Sequence, residues 1–244
     1  MRSILLILLL MTTLSATSED NVIRLTSLEW PPYSGQKLAQ QGASVAVARA
    51  AFAAMGYQLK VDFFPWSRAV SLAQDSQSRY IGYFPEYYSQ DIASEFIYSD
   101  SMGSGPLGFI QQTAKPVDWQ QLQDLQPYRI GVVQDYVNTD EFDALVQQGK
   151  LATEAVISDR HNILKVINGR LDLAVIDRNV MHYLFNTDPS LQGKAGLATF
   201  NDKLLDNRQL YICFRNTRQG KAIAEIFNQG LKKIDIDAIM EKHL

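Results

Sequence analysis

Hydrophobic and polar positions alternate between two periods along this chain. Residues 22–28 are apolar-rich and end at Glu29-Trp30-Pro31-Pro32-Tyr33, where the prolines forbid continued strand pairing, so a first strand delivers Trp30 and Tyr33 into a loop. Over 42–56, Val45, Ala48, Phe52 and Met55 share one helical face, Ser44 stands near its start and Gly56 marks its stop. Residues 57–63 set Tyr57, Leu59, Val61 and Phe63 against Gln58, Lys60 and Asp62, the period-two signature of a half-buried strand. Pro65-Trp66-Ser67-Arg68 then opens a helix through about Gln77, with Ser67 as its N-cap. Residues 82–111 carry two strand-like apolar runs, ending with 96–100 and 107–111.

The second half repeats the alternation. Trp119, Leu122 and Leu125 mark a short helix, and 128–133 a buried strand. Thr139 caps a helix with Asp140 and Glu141 in its first turn, where the helix dipole favours acids. A strand over 155–157 follows, then a helix capped by Asp159 that buries Ile163, Leu164, Val166 and Ile167. Residues 173–176 form an apolar strand ending at Asp177, with a helix over 179–185 behind it. A strand over 210–214, a helix capped by Thr217 and a last short helix close the chain. Strands alternating with helices in both halves predict an α/β protein of two lobes.

Met1-Arg2-Ser3, an apolar run over 4–11 and small residues to Ser18 read as a secretory signal peptide, cut before Glu19 or after Ala16. The apolar run is too short for a membrane span, so an exported, periplasmic protein is expected. Cys213 is the only cysteine, which excludes an internal disulfide. At 46% hydrophobic and 20% charged the composition is that of a globular protein, and a formal net charge of −3 argues against nucleic acid or an anionic membrane as partner. His161, His182 and His243 are scattered, so no metal and no cofactor are expected.

Ligands of open α/β sheets bind beyond the carboxyl ends of strands and between lobes. That rule singles out Trp30 and Tyr33, Trp66 and Arg68 near Pro65, and the run beginning at Tyr83, with Glu86 and Tyr87 in it. Aromatic residues there can stack on a ligand at small entropic cost, or cover the edge of the core. Asp177 can hold an ammonium or hydroxyl group, or cap the helix that follows it. Arg68 suits a carboxylate, or is a solvated first-turn residue. Gly103-Ser104-Gly105-Pro106 is too short for a phosphate loop and reads as a hinge or turn.

Leu28-Glu29-Trp30-Pro31-Pro32-Tyr33, Phe96-Ile97-Tyr98-Ser99-Asp100, Tyr128-Arg129-Ile130-Gly131-Val132-Val133 and Asn168-Gly169-Arg170-Leu171-Asp172-Leu173-Ala174-Val175-Ile176-Asp177 occur in the order and spacing of a known family. On these segments the mature chain resembles family 3 of the bacterial extracellular solute-binding proteins, the receptors of polar amino acid ABC transporters. The resemblance implies a type II periplasmic-binding-protein fold with two crossover strands, lobe 1 formed by 19–109 plus 206–244 and lobe 2 by 110–205. It implies hinge closure of a monomer on a small polar ligand, an amino acid or amine compound, and delivery to an ABC permease. It places the ammonium-binding acid at Asp177 and a stacking aromatic near Tyr33.

The chain departs from the family elsewhere. Asp91-Ile92 stand where the carboxylate-binding arginine belongs, Phe84, Pro85 and Tyr87 replace small polar residues, and Asp135-Tyr136-Val137-Asn138 replaces a glycine-serine-threonine loop. Two readings follow. Arg68 supplies the positive charge, which is the favoured one, or the ligand lacks a carboxylate and is held by Glu86, Asp177 and an aromatic wall through cation–π contact. Tyr136 and Asn138 complete the candidate set from the second lobe. Competing functions on the same scaffold are a cyclohexadienyl dehydratase-like enzyme, with Glu86 as proton donor, and a sensory binding protein without a transport partner.

Overall fold

The computed structural model describes residues 21–244. The signal peptide expected over 1–18 lies outside the described residues. In the first lobe, strand β1 (Val22–Ser27) leads through helix α1 (Ala43–Ala53) to β2 (Gln58–Phe63), and through α2 (Trp66–Gln74) to β3 (Gly82–Tyr87). A short α3 (Gln90–Glu95) and β4 (Phe96–Tyr98) end this run. β1 pairs in parallel with β2 over its whole length, Val22 opposite Gln58 through Ser27 opposite Phe63, and with β3 at Thr26 opposite Tyr83. The alternation read in β2 is real: Gln58 and Lys60 are exposed while Leu59 and Val61 are buried. All six residues of β3 are buried, as a central strand covered on both faces requires.

The second lobe contains β5 (Ser104–Gln112), β6 (Ile130–Val133), α4 (Asp140–Gln147), β7 (Thr153–Val156), α5 (Asp159–Ile167), β8 (Leu173–Asp177), α6 (Arg178–Thr187) and β9 (Ala198–Phe200). The long strand β10 (Asp206–Arg215) returns to the first lobe, where α7 (Arg218–Leu231) and α8 (Ile236–His243) complete it. The sheet order is β2-β1-β3-β10-β5-β8-β6-β7, so β10 and β5 join the halves. The first part of β10 pairs with β5, Asp206 opposite Leu107 through Gln209 opposite Ser104, and its second part pairs antiparallel with β3 and β4. β5 in turn pairs antiparallel with β8 from Leu107 to Gln111. Each crossover strand thus pairs within one lobe at one end and with the other crossover strand at the other.

The first lobe packs α1 against α7 and α8. Phe52 and Phe227 meet there with ring centroids 5.1 Å apart, both fully buried, each worth roughly 1.5–3 kcal/mol of transfer free energy. Gly230 allows the close approach, since a Cβ there would stand 2.1 Å from the Ala51 carbonyl oxygen. The second lobe has its own cluster, with Ile110, Ile163, Val166, Leu171 and Ile176 among its buried members.

Several local expectations need correction. α2 is capped by Pro65 without a side-chain bond, so Ser67 is not an N-cap. The same helix stops at Gln74 because the Asp75 carboxylate takes the Gln77 N–H at 2.9 Å, a local bond that competes with helix. The N-cap of α5 is Ser158, and Asp159 is its first, buried residue. Ile157 lies beyond β7 and is 77% exposed. The helix α3 is new: Ser89 caps it, and six residues are too few to show a period. No helix among the described residues is long and apolar enough to cross a membrane.

Candidate functional site

The loop after β1 is fixed by its own backbone. The Trp30 carbonyl accepts from the Tyr33 and Ser34 N–H groups, and the carbonyls of Pro32 and Tyr33 accept from Ala43 and Ser44 at the start of α1. Helix α1 has no side-chain cap, so these carbonyls satisfy its first donors and hold Tyr33 against the helix. The Tyr33 ring stacks on Trp30 at 4.5 Å, and Tyr87 meets Trp30 edge-on at 6.0 Å.

Tyr33 reaches across to the second lobe. Its hydroxyl donates to Asp177 Oδ2 at 3.0 Å and accepts from Asn179 Nδ2 at 2.8 Å. Asp177 Oδ1 takes the N–H groups of Asn179 and Val180, capping α6, so the capping reading holds while the other oxygen of the same carboxylate takes the Tyr33 bond. Gly105 of the crossover strand β5 lies against this pair: a Cβ there would stand 2.2 Å from Asp177 Oδ2 and 2.3 Å from the Tyr33 hydroxyl oxygen. Only glycine leaves space for the bond. Farther out, Trp66 Nε1 donates to the Asp135 carbonyl at 3.1 Å and the Ser67 hydroxyl donates to the Asp135 carboxylate, two more bonds from lobe to lobe.

Two adjoining cavities lie along this seam and share Leu28, Trp66 and Tyr136. The inner one, about 300 Å³ including the space open to solvent, is walled by Trp30, Trp66, Tyr87 and Tyr136 with Leu28, Val137 and Leu210 between them, and Glu86 is its one charged lining residue. The outer one, about 1110 Å³ including the space open to solvent, runs between Phe63 to Ser67 of the first lobe and Val133 to Tyr136 and Ile157 to Asp159 of the second. Its charged lining residues are Glu29, Asp135 and Asp159. Among the described residues no lysine, arginine or histidine lines either cavity.

Glu86, Asp159 and Asp177 are all buried, and none takes part in an ion pair among the described residues. Burial pushes the Glu86 carboxyl up to about 8, against the Tyr87 N–H at 2.8 Å and the Tyr83 hydroxyl at 3.2 Å, which favour its ionised form. Burial raises Asp159 to about 7, helped by the charge of Asp177 and opposed by the Trp30 indole. Asp177 also rises to about 7 through burial, which outweighs its three donors. The phenols of Tyr33, Tyr83, Tyr87 and Tyr136 are held neutral, chiefly by burial. The Tyr87 hydroxyl is buried without a partner.

The structure therefore gathers Trp30, Tyr33, Trp66, Glu86, Tyr87, Tyr136 and Asp177 at one seam. Tyr83 stands behind them, fully buried, with its ring edge-on to Trp66 at 5.3 Å and its hydroxyl on Glu86. Two expected residues are elsewhere. Arg68 is exposed, with its guanidinium 5.8 Å from the Phe64 ring centroid, and lines neither cavity. Its place in the first turn of α2 turns it to solvent. Asn138 is buried but bonds Asp143 through its backbone at 2.9 Å and its amide at 2.7 Å, tying down the start of α4 instead of facing the seam.

Sequence reasoning missed Asn179, Arg208 and the inward turn of Asp159. Arg208, on β10, lies over the Tyr87 ring at 5.4 Å, donates to the Tyr88 carbonyl and stands 3.5 Å from Asp206. The missed signal for Asp159 was its position just past the end of β7, which the strand-end rule covers.

An α/β sheet divided into two lobes by two crossover strands, with a seam of aromatic and acidic residues at the strand ends, is the periplasmic-binding-protein fold. Solved structures share it over nearly the whole chain. A histidine kinase sensor domain with similarity to periplasmic binding proteins is 19% identical, with TM-score 0.75, covering 92% of this chain and 97% of its own. An ancestral arginine-binding protein bound to arginine is 13% identical with TM-score 0.73, covering 92% and 98%. The GluR0 ligand-binding core from Nostoc punctiforme in complex with L-glutamate is 13% identical with TM-score 0.72, covering 91% and 99%. At these identities the likeness is one of fold. No protein-family model matches the chain, and no curated protein matches it in sequence.

Proposed function

We propose that the protein is a periplasmic, non-catalytic solute-binding protein that captures a small polar solute, amino-acid-like or amine, between its lobes by hinge closure. The observation that carries this reading is the seam itself. Aromatic walls from both lobes, Trp30, Trp66 and Tyr87 on one side and Tyr136 on the other, enclose a cavity whose size depends on the lobe-to-lobe distance. Only two strands, β5 and β10, join the lobes. A ligand that touches both lobes favours the closed form by its differential affinity for it.

Delivery to an ABC permease is one role for such a protein. A sensory role is the second reading, favoured by the fold shared with a histidine kinase sensor domain. A melting-temperature screen with amino acids, amines and dicarboxylates, followed by amide hydrogen exchange of any hit, tests the common element. Saturating ligand should stabilise the fold by about 2.7 kcal/mol at 100 times Kd, raising the melting temperature, and should slow exchange at the seam loops of both lobes. Ligand binding that protects one lobe alone would refute capture between the lobes.

A further inference from the structure

The charge along the seam is one-sided. Glu86 lines the inner cavity, and Glu29, Asp135 and Asp159 line the outer one, with no basic residue among the lining groups of either. Asp135 already accepts the Ser67 hydroxyl and Glu29 the Gln36 N–H, both at exposed positions. Glu86 and Asp159 differ, being 5% and 7% exposed with no cation paired to them. A buried carboxylate without a counter-charge is costly to ionise, and a ligand that brings the positive charge removes that cost. Asp177 already takes three donors, Tyr33, Asn179 and Val180, whereas Glu86 takes one on each oxygen, the Tyr87 N–H and the Tyr83 hydroxyl, and keeps acceptor capacity on both.

A ligand carboxylate has no comparable partner. Arg68 is in solvent, and Arg208, which donates to the Tyr88 carbonyl, stands by Asp206 and keeps a buried, unpartnered Nε, lies over the Tyr87 ring and lines neither cavity. Trp30, Trp66 and Tyr136 present ring faces and edges where a cation and an apolar body can both be accommodated.

Resting on the solute-binding reading, we propose that the ligand is a small organic cation without a carboxylate, its positive charge met by the acidic lining of the two adjoining cavities, Glu86 in the inner and Asp159 in the outer, and its body set between Trp30, Trp66 and Tyr136. The ionised form of Glu86 is the one that binds. The groups that act on it are the Tyr83 hydroxyl and Tyr87 N–H on its own strand, Arg208 and Cys213 on β10, Tyr98 on β4 and Tyr136 from the second lobe. Burial keeps the carboxyl protonated near neutral pH, so binding releases a proton and tightens as pH rises from 6 to 8.

Matched pairs that differ only in the carboxylate decide the matter: tyramine against tyrosine, phenethylamine against phenylalanine, agmatine against arginine, with glutamate as the dicarboxylate, titrated calorimetrically into the purified protein. At least one amine should bind at least tenfold tighter than its amino acid, with affinity that increases from pH 6 to pH 8. Glu86→Gln and Asp159→Asn, both isosteric, should each weaken that amine at least tenfold while leaving the melting temperature at pH 6 close to the parent's. Amino acids or dicarboxylates binding tighter than their amines would overturn the cation proposal and leave the solute-binding reading standing. Silence across the whole panel, glutamate included, would overturn both.

Discussion

Replacing Glu86 by glutamine should change how the protein's stability depends on pH. The carboxyl is buried on β3, 5% exposed, and its ordinary value of 4.5 rises to about 8 because burial penalises the charge more than the Tyr87 N–H, the Tyr83 hydroxyl and Arg208 favour it. In the folded protein the group therefore keeps its proton over a range where the unfolded chain has lost it. The contribution of a raised carboxyl is fully present below the unfolded value and falls as pH rises through the folded one. Between about pH 5 and pH 8 the parent protein should lose up to about 1.4 kcal/mol per pH unit from this residue, on the order of 5 kcal/mol in all.

Glutamine keeps the shape and cannot ionise, so the variant lacks this slope. Asp159 and Asp177 contribute their own slopes to both proteins and cancel in the difference. For a chain of this size about 1 kcal/mol moves the melting temperature by roughly 2–4 °C, so the variant should gain on the parent by roughly 10–20 °C from pH 5 to pH 9. Calorimetric melts at four or five pH values read this directly. A difference between variant and parent that stays flat over the range would refute the burial argument for Glu86.

Two further predictions concern the seam. Tyr33→Phe removes the hydroxyl that links Asp177 and Asn179 while keeping the stack on Trp30, and should cost about 1.5–3 kcal/mol; Gly105→Ala forces the same bond apart, so the double variant should cost less than the sum, and strict additivity in urea melts would show the bond is not shared. Arg68→Ala should change stability by no more than about 0.5 kcal/mol and ligand affinity hardly at all, because the guanidinium is exposed over Phe64; a tenfold loss of affinity in calorimetry would return Arg68 to the site.

The elements were legible where local pattern and tertiary role coincide. β2 alternates because one of its faces is solvated, and Thr139 and Thr217 cap α4 and α7 through the N–H groups of Phe142 and Gly220. The strand-end rule pointed to Trp30, Trp66 and Tyr87, and the loop that departs from the family to Tyr136. It could not find the bond from Tyr33 to Asp177, which joins residues 144 positions apart and depends on Gly105 having no side chain. Asp159 was taken for a cap because an acid at the first position of a helix and an acid at the cap read alike, whereas Ser158 holds the extended backbone and Asp159 turns inward. Arg208 escaped notice because only the pairing of β10 with β5 and β3 shows that this arginine, unlike Arg68, is enclosed.

The bonds across the seam also bear on how a ligand would be received. Tyr33 to Asp177, Trp66 to Asp135 and Ser67 to Asp135 hold the lobes together by side chains of the protein itself. At about 0.5–1.5 kcal/mol net for an ordinary bond and 1.5–3 for one to a charge, opening the seam costs a few kcal/mol. A ligand that enters only the open form has its apparent affinity lowered by the open fraction. The effect of Tyr33→Phe on affinity therefore distinguishes two arrangements. If the Tyr33 bond persists around the bound ligand, it stabilises the free and bound closed forms equally, and the variant binds as the parent does while melting lower. If the ligand displaces Tyr33 from Asp177, the parent must first break a bond that the variant lacks, and the variant binds tighter by about the energy of that bond. The first outcome fits a positive charge met by Glu86 and Asp159; the second would move it to Asp177.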